Sequence, residues 1–158
     1  MRIGLGYDVH PLARERRLVL GGVHVEHEFG LTGHSDADVL CHAIGDALLG
    51  AANLGDLGQH FPDSSARFAN ISSLLLLKEI ARLLVQNNFR IVNIDSVLIL
   101  EAPKVMPFAD QMKENIAHAL GITPQQISIK ATTSEKLGFI GRKEGAAAQA
   151  VALIDQMS

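Results

Sequence analysis

The sequence predicts an α/β or α+β fold, in a single domain that spans residues 1–158. Segments with strand-like alternation and segments with helical apolar spacing follow each other along the chain, which is typical of these two classes. Hydrophobic residues make up 47% of the sequence and charged residues 20%, so the chain can bury one packed core. No P-loop motif and no GxGxxG motif is present, which excludes the P-loop and Rossmann interpretations.

Three strands and two helices are expected in the first half of the chain. Short apolar runs predict the strands at residues 1–8, 18–20 and 23–26. Ser35 and Asp38 form a capping box, with Asp in place of the usual Glu or Gln, and predict a helix over residues 36–52. A second helix is expected over residues 72–88. The Gly-, Ser- and Asp-rich segment 54–67 between them is long enough to be a binding loop.

The second half continues the alternation. The same criteria predict a strand over residues 90–100, a helix over 110–120 closed by Gly121, a turn at 123–126 and a strand over 127–132. The last segment, residues 144–154, is ambiguous. Its alanines favour a helix by propensity, whereas Val151, Leu153 and Ile154 permit a strand packed on small residues.

Asp8, His10 and His42 are candidate ligands of a divalent metal. Residues two apart in a strand project to the same face, so Asp8 and His10 can reach one ion together, and His42 would join them from the first predicted helix. Two imidazoles and one carboxylate leave the fourth position of tetrahedral zinc open, as in catalytic sites. The alternative is that Asp8 begins a turn before Pro11 and that both histidines are ordinary polar residues.

A stripe of ionisable residues on the first helix favours the metal interpretation. Asp38, His42 and Asp46 stand four residues apart beside an apolar face, where charged groups are costly unless they are paired or bound to metal. Asp46 is therefore predicted to orient a ligand imidazole, although a simple carboxylate on the helix face is the alternative. Cys41 lies about 100° around the helix from His42 and is expected to be a small buried residue.

Two later segments have side chains suited to phosphate. Residues 100–106 follow a predicted strand, at the strand end where α/β folds often bind ligands, and contain the cation Lys104. Residues 130–142 combine hydroxyls, glycines, the carboxylate of Glu135 and the cations Lys136 and Arg142, which suits phosphate oxygens with a magnesium ion. A Thr-rich strand end with a glycine turn would explain the same residues without a ligand.

Charge and hydropathy exclude several classes. The net charge is −3, and no basic cluster with interleaved aromatic residues is present, so nucleic acid is not an expected partner. Apolar runs such as Leu74 to Leu77 are too short to span a membrane. A single cysteine and an opening strand pattern without a signal peptide predict a cytoplasmic protein.

The motifs together resemble one family over essentially the whole chain. They are Gly6–His10, Gly33–Val39, His42, Asp46–Ala51, Leu54–Gly58, Phe61–Asp63, Ala102–Lys104 and Lys130–Phe139. In this order and spacing they closely resemble the 2-C-methyl-D-erythritol 2,4-cyclodiphosphate synthases of the non-mevalonate pathway of isoprenoid (terpenoid) biosynthesis. Ala37 stands where the family commonly has glycine, Leu5 where histidine can occur, and Ser134 where threonine is usual; no metal ligand is lost.

The resemblance implies a lyase reaction. The 2-phosphate of 4-diphosphocytidyl-2-C-methyl-D-erythritol 2-phosphate attacks the β-phosphorus, expels CMP and closes a cyclic diphosphate. Asp8, His10 and His42 would bind zinc, and Glu135 would bind Mg or Mn together with the substrate diphosphate. The implied transition-state stabilisers are His34 and Thr133.

The resemblance also implies the substrate contacts. Ser35 would bind a phosphate near the helix N-terminus. The methylerythritol diol and its phosphate would contact Asp56, Gly58, Phe61, Pro62, Asp63, Ser64 and Ser65. The cytidine and diphosphate would contact Leu100, Ala102, Pro103, Lys104, Val105, Met106, Thr132 and Ser134. Whether the loop of residues 62–71 closes over substrate is left open.

The family is a homotrimer with active sites at subunit boundaries, which implies a fold and a second ligand for this chain. A mixed sheet would carry helices on one face and line a central channel with the other, so residues 144–154 are expected to be a strand. Phe139 and Arg142 would lie near the three-fold axis, where a cavity can accept an isoprenoid diphosphate. Two other functions remain open: a metal-dependent phosphohydrolase, and a trimeric isoprenoid-diphosphate binding protein with a structural metal.

Overall fold

The computed structural model describes residues 1–62 and 70–157. Seven strands are present in this part of the chain: β1 Arg2–Arg14, β2 Leu18–Leu20, β3 Val23–Val25, β4 Phe29–Leu31, β5 Phe89–Ile99, β6 Ile127–Thr132 and β7 Gly145–Gln156. The α-helices are α1 Val39–Ala52, α2 Leu57–His60, α3 Ser73–Gln86, α4 Ala109–Leu120 and α5 Gly138–Gly141. Two short 3₁₀ turns, Met106–Phe108 and Pro124–Gln126, precede α4 and β6. No described helix is long and apolar enough to cross a bilayer.

Five strands form a mixed sheet in the order β4-β1-β7-β5-β6. β1 pairs antiparallel with β4 and β7, β7 pairs antiparallel with β5, and β5 pairs parallel with β6. The remaining strands, β2 and β3, form a separate hairpin. The predicted α+β class with a mixed sheet is confirmed.

Helix α1 packs on the sheet at very short range, because β1 presents glycines to it. A Cβ atom at Gly4 would lie 1.9 Å from the carbonyl oxygen of Ala47, and one at Gly6 would lie 1.9 Å from that of Ala43. The alternate residues of β1, such as Leu5 at 69% exposure, point to the opposite face of the sheet and are exposed there. Helices therefore cover one face of the sheet, as predicted.

Residues 145–156 form a strand, although their composition favours a helix. β7 lies between β1 and β5 and pairs with both along most of its length. Its alternate alanines are buried under α1, where a larger side chain would hold the helix away from the sheet. The tertiary contacts of this strand thus override its propensity, and the strand expected from the family resemblance is confirmed.

The predicted capping box at the start of α1 was wrong. The helix begins at Val39, and its N-cap is Asp38, whose side chain accepts hydrogen bonds from the backbone amides of Cys41 at 3.1 Å and Gly22 at 2.7 Å. The chain before it cannot be helical because Ala37 has a left-handed φ of 56°. A glycine would adopt this conformation without the strain that an alanine has here.

Candidate metal centre and active site

Asp8, His10 and His42 meet at the junction of β1 and α1. Asp8 and His10 lie two residues apart on β1 and share one face, and His42 lies in the first turn of α1. The glycine-mediated contact between this strand and this helix brings the three side chains together. All three are partly buried. The predicted clustering is confirmed.

The geometry of the cluster fits a divalent cation. Asp8 Oδ2 lies 2.9 Å from His10 Nε2 and 3.0 Å from His42 Nδ1, and the two nitrogens are 3.1 Å apart. Tetrahedral zinc with bonds of about 2.0–2.1 Å places its ligand atoms about 3.3 Å apart, so a small outward movement accommodates the ion. The donor set of two imidazoles and a carboxylate suits zinc and other divalent metals.

Hydrogen bonds on the far sides of both rings aim the ligand nitrogens at the centre. His10 Nδ1 lies 2.9 Å from the carbonyl oxygen of Thr32, which accepts only from a protonated nitrogen and leaves the lone pair on Nε2. His42 Nε2 lies 3.0 Å from Ser35 Oγ and 2.9 Å from Ser73 Oγ. Such partners fix the tautomer and the orientation of metal-binding imidazoles.

The electrostatics of the cluster favour an anionic Asp8. Burial alone would raise the pKa of Asp8, but hydrogen bonds and charge from His10 and His42 hold it well below the usual value. Burial opposes protonation of His10, but the hydrogen bond and charge of Asp8 raise the pKa of His10 above its usual value. A metal cation bound between these side chains would be stabilised by the same negative charge on Asp8.

The cluster opens into a cleft of about 530 Å³. Its lining residues include the predicted transition-state stabiliser His34 and the predicted substrate contacts Ser35, Gly58, Phe61 and Pro62. Asp56 caps α2 by accepting from the amide of Gln59 at 3.0 Å. The predicted contacts Asp63, Ser64 and Ser65, and most of the loop of residues 62–71, lie outside the described residues.

Asp46 also lines this cleft. Its Oδ1 accepts a hydrogen bond from the amide of Leu57 at 2.8 Å, and burial raises the pKa of its carboxyl group. This hydrogen bond connects α1 to α2 beside the cleft. The role of Asp46 in orienting an imidazole stays a prediction. Cys41 is buried and free, as expected, and burial raises the pKa of its thiol.

The predicted cytidine segment lies at a second cleft of about 380 Å³. Thr132 and Thr133 join it from the end of β6, and the remaining lining residues are Leu100, Glu101, Pro103, Lys104, Val105, Met106, Pro107 and Ala131. Ala102 lies beside it, at a smaller cavity that also contains Lys143. Among the described residues, the first and second clefts have no lining residue in common. Within one chain, the structure thus separates the predicted metal half and the predicted cytidine half of the site.

A loop that follows β6 carries Thr133, Ser134 and Glu135, and Glu101 holds it in place. Glu101 Oε1 accepts from the amide of Ser134 at 2.9 Å, from its hydroxyl at 3.1 Å and from the amide of Lys136 at 3.3 Å. These bonds lower the pKa of the Glu101 carboxyl group. Thr133 Oγ1 donates to Glu135 Oε1 at 3.2 Å.

Phe139 lies in α5, and Arg142 directly follows this helix. Arg142 forms an ion pair with Glu144, with Nε and Nη2 2.9 and 3.0 Å from the carboxylate oxygens. The hydrogen bond to Glu144 raises the pKa of the Arg142 guanidinium. Phe139 is 39% exposed.

Asp36 and Ser73 contact the site but were not predicted. Glu101 lies within the predicted segment 100–106, but its hydrogen bonds to the loop after β6 were not predicted. Ser73 reaches His42 across 31 residues of sequence, and Glu101 reaches Ser134 across 33. No spacing rule connects positions so far apart. A signal was available for Asp36, which lies between the predicted site residues of the segment 33–39, and for Glu101, which lies within the segment 100–106, but not for Ser73.

A mixed sheet whose covering helix completes an Asp-His-His cluster in an open cleft defines an α+β enzyme with a candidate divalent-metal site. Residues 1–155 match the YgbB family, and the chain belongs to that family. The 2-C-methyl-D-erythritol 2,4-cyclodiphosphate synthase of Chlorobium luteolum is 57% identical over 157 residues, which cover 99% of this chain and 100% of that relative. The synthase of Syntrophomonas wolfei is 58% identical over 156 residues, 99% of both chains.

Solved structures show the same similarity. The bifunctional IspDF of Campylobacter jejuni has a TM-score of 0.95 and 43% identity, covering 99% of this chain and 42% of that one. A CDP complex of IspF from Plasmodium falciparum has a TM-score of 0.86 and 34% identity, covering 99% of this chain and 97% of that one. The predicted family and enzyme class, 2-C-methyl-D-erythritol 2,4-cyclodiphosphate synthase, are confirmed.

Proposed function

We propose that Asp8, His10 and His42 form the metal centre at which this chain converts 4-diphosphocytidyl-2-C-methyl-D-erythritol 2-phosphate to 2-C-methyl-D-erythritol 2,4-cyclodiphosphate and CMP. The observation that carries the proposal is the triangle of ligand atoms, with sides of 2.9 to 3.1 Å, at the base of an open cleft. Three protein ligands leave room for an oxygen of the substrate, as catalytic sites require. We propose zinc for this centre, and Mg or Mn for Glu135 with the substrate diphosphate.

A cation held by Asp8, His10 and His42 would supply Lewis acidity to polarise the β-phosphate. The remaining catalysis comes from positioning and electrostatics, because the attacking 2-phosphate is already an anion and needs no general base. His34 and Ser35 line the cleft beside the metal ligands, where their side chains can contact phosphate oxygens. Thr133 stands at the second cleft and would stabilise the charge that develops on the expelled CMP.

The substrate would bridge the two clefts. Its methylerythritol part would contact Asp56, Gly58 and the chain from Phe61 onwards, and its cytidine would contact residues 100–106. Lys104, Thr132 and Ser134 would contact the diphosphate. The CDP complex of the Plasmodium falciparum relative supports a cytidine diphosphate site in this fold.

We also propose a homotrimer in which the second cleft of one subunit completes the first cleft of its neighbour. Within residues 1–62 and 70–157, the two clefts of one chain share no lining residue, which supports this arrangement. The uncovered apolar residues of β1 would then face the central channel. We further propose that an isoprenoid diphosphate binds near Phe139 and Arg142. We also propose a cytoplasmic location.

Phosphorus NMR tests the reaction. The purified protein, its His42→Ala variant and a His118→Ala control on α4 are incubated with the substrate, zinc and magnesium. We expect CMP and a cyclic diphosphate from the wild type and the control, and unchanged substrate from His42→Ala. Linear phosphate products would instead indicate a phosphohydrolase, and binding without turnover in the wild type would indicate a binding protein.

A further inference from the structure

We infer that Ser73 and Asp36 are positioning residues for the metal centre: Ser73 Oγ accepts a hydrogen bond from the Nε2–H group of His42, and the Ser73 hydroxyl donates a hydrogen bond to the Asp36 carboxylate. This inference rests on the proposed metal centre. The chain of contacts is equivalent to the carboxylate–histidine–metal arrangement of many metalloenzymes, with a serine hydroxyl inserted between carboxylate and imidazole.

The two nitrogens of His42 face different surroundings. Nδ1 lies 3.0 Å from Asp8 Oδ2 and 3.1 Å from His10 Nε2, so it is the nitrogen that faces the metal position. Nε2 lies on the far side of the ring, 2.9 Å from Ser73 Oγ. A neutral imidazole carries one proton, and Nδ1 can bind a metal only when that proton is on Nε2. An acceptor at Nε2 therefore selects the tautomer that binds metal.

The Asp36 carboxylate orients the Ser73 hydroxyl so that its oxygen can accept a hydrogen bond from His42. The Ser73 hydroxyl donates to Asp36 Oδ1 at 2.5 Å, and the Ser73 amide donates to Asp36 Oδ2 at 3.0 Å. An ionised carboxylate can only accept, so the hydroxyl proton points to Asp36 and an oxygen lone pair of Ser73 faces His42. Ser73 has 0% exposure, which keeps water from competing for these bonds. The direction of the hydrogen-bond chain is thereby fixed.

Ser35 is the other hydroxyl near the same nitrogen, but its surroundings differ. Its Oγ lies 3.0 Å from His42 Nε2 and accepts from the amide of Ala37 at 3.2 Å. Among the described residues, no carboxylate has a hydrogen bond to the Ser35 hydroxyl. Ser35 also lines the open cleft. Its proton can therefore be donated to a substrate phosphate, while Ser73 holds the imidazole.

A purely structural role for the same contacts has to be distinguished. The amide of Asp36 donates to the carbonyl of Ile71 at 3.0 Å, and the amide of Asn70 donates to the carbonyl of His34 at 2.8 Å. The Asp36–Ser73 bonds thus also attach the segment that precedes α1 to the start of α3. Loss of that attachment would lower stability without changing the tautomer preference of His42, so metal affinity has to be measured beside stability.

The experiment compares the metal-free wild type with Ser73→Ala, Asp36→Asn and the control Ser72→Ala. Ser72 is the N-cap of the same helix and makes no side-chain capping bond, so its substitution tests the loss of a neighbouring hydroxyl alone. Zinc affinity is measured by competition with a chromophoric chelator, cobalt coordination by visible absorption, and stability by the thermal midpoint. We expect Ser73→Ala to lose about tenfold or more in zinc affinity, Asp36→Asn to lose less, and Ser72→Ala to match the wild type.

Activity adds a second criterion. Ser73→Ala is expected to recover most of the wild-type kcat when zinc is raised in proportion to its lost affinity, because the ligands themselves are unchanged. In the zinc-loaded wild type, ¹⁵N-histidine NMR is expected to show a slowly exchanging proton on His42 Nε2, and this proton is expected to exchange faster in Ser73→Ala.

Unchanged zinc affinity of Ser73→Ala, with or without a lower thermal midpoint, would overturn the inference and leave a structural attachment. A solvent-like exchange rate of the Nε2 proton in the wild type would overturn it as well, even if the variants did not fold. Failure of the wild type to bind zinc would instead contradict the proposed metal centre itself. The wild-type titration thus distinguishes the two failures.

Discussion

Asp8 and His10 make the stability of the metal-free protein depend on pH in a direction that can be predicted. The folded-state pKa of His10 is raised above 6.5, so its contribution is fully present below pH 6.5 and is lost as pH rises through the raised pKa. The folded-state pKa of Asp8 is lowered below 3.8, so its contribution is present above pH 3.8 and is lost as pH falls through the lowered pKa. Both contributions are present together between these two values.

We therefore expect Asp8→Asn to destabilise the metal-free protein more at pH 5.5 than at pH 8.5. Urea unfolding of chelator-treated wild type and variant at both pH values measures this difference, with Asp110→Asn on the exposed surface of α4 as the control. Equal destabilisation at the two pH values would show that the Asp8–His10 pair does not stabilise the fold. Zinc should reverse the wild-type trend, because protons compete with the metal for the same nitrogens.

Individual site residues could be predicted only where local spacing carries the information. Asp8 and His10 share a strand face by the two-residue period, and His42 lies on an amphipathic helix, so their candidacy follows from sequence. Ser73 has no such signal, because its contact with His42 depends on how α3 packs against α1. The sequence favoured Asp46 as the partner of an imidazole because it is one helical turn away, whereas the hydrogen bond of Asp46 connects to Leu57.

At the scale of elements, the approach of α1 to β1 determines whether the metal ligands meet. A Cβ atom at Gly6 would lie 1.9 Å from a backbone oxygen of α1, so Gly6→Ala must move the helix, and with it His42, away from Asp8. We expect the free energy of unfolding to fall by about 1–3 kcal/mol or more, and zinc to bind more weakly. Urea unfolding at one protein concentration and zinc titration measure both effects.

Gly50→Ala is the matched control, since Gly50 lies on α1 and a methyl group added there would have nothing within 4 Å of it. Because alanine is a better helix former than glycine by about 0.8–1.0 kcal/mol, this variant is expected to be slightly more stable than the wild type with normal zinc affinity. Similar behaviour of the two glycine variants would mean that the close contact at Gly6 is not what sets the position of α1.

The loop after β6 has a strained backbone conformation that depends on hydrogen bonds to Glu101. Glu135 and Lys136 both have left-handed φ values, 53° and 63°, and non-glycine residues in this conformation cost about 1–2 kcal/mol each. Glu101 offsets this cost by accepting three hydrogen bonds from the loop. Glu101→Ala is expected to speed amide hydrogen exchange at Ser134 and Lys136 and to raise KM for the cytidine substrate.

Glu101→Gln is the control for charge, because its amide oxygen can keep part of these bonds, and its effects should be smaller. Thermal stability should change little in either variant, since the loop is on the surface. Unchanged amide exchange in Glu101→Ala would show that the loop keeps its shape without Glu101.

Most elements could be predicted because their patterns are local. The strand of residues 127–132 was predicted with its observed limits, and the helices of residues 39–52, 73–86 and 109–120 within three residues at each end. β7 could not be derived from its alanine-rich composition, because its strand conformation depends on pairing with β1 and β5 and on the room its small side chains leave for α1. The short strand β4 and helix α5 gave no periodic signal.

At the scale of the whole molecule, β1 exposes a stripe of apolar side chains on the sheet face opposite the helices, and no described residue buries this stripe. Ile3, Leu5, Tyr7 and Val9 of β1 are 71%, 69%, 49% and 42% exposed, and Val151 of β7 lies directly opposite Leu5. A contiguous patch of this kind marks an interaction surface in a protein of this size. The helices occupy the opposite face, so a partner on this face would not block the metal cleft.

We therefore expect the wild type to have about three times the 17.0 kDa mass of one chain in solution, measured by sedimentation or light scattering. Leu5→Glu places a charge in the centre of the uncovered face and is expected to give monomers, because burying an unpaired carboxylate is costly. Leu75→Glu on α3 is the matched control, since Leu75 is similarly exposed at 55% but lies in the helix layer. It should leave the trimer intact.

The activity of Leu5→Glu then tests the proposed division of the site. Its metal ligands and its cytidine cleft are unchanged, so zinc affinity is expected to remain near the wild-type value. Turnover is nevertheless expected to fall by orders of magnitude, because no neighbouring subunit brings a cytidine cleft to the metal cleft. A monomer with wild-type turnover would show that one chain contains a complete site, and the two clefts would then have to be joined by a movement within the chain.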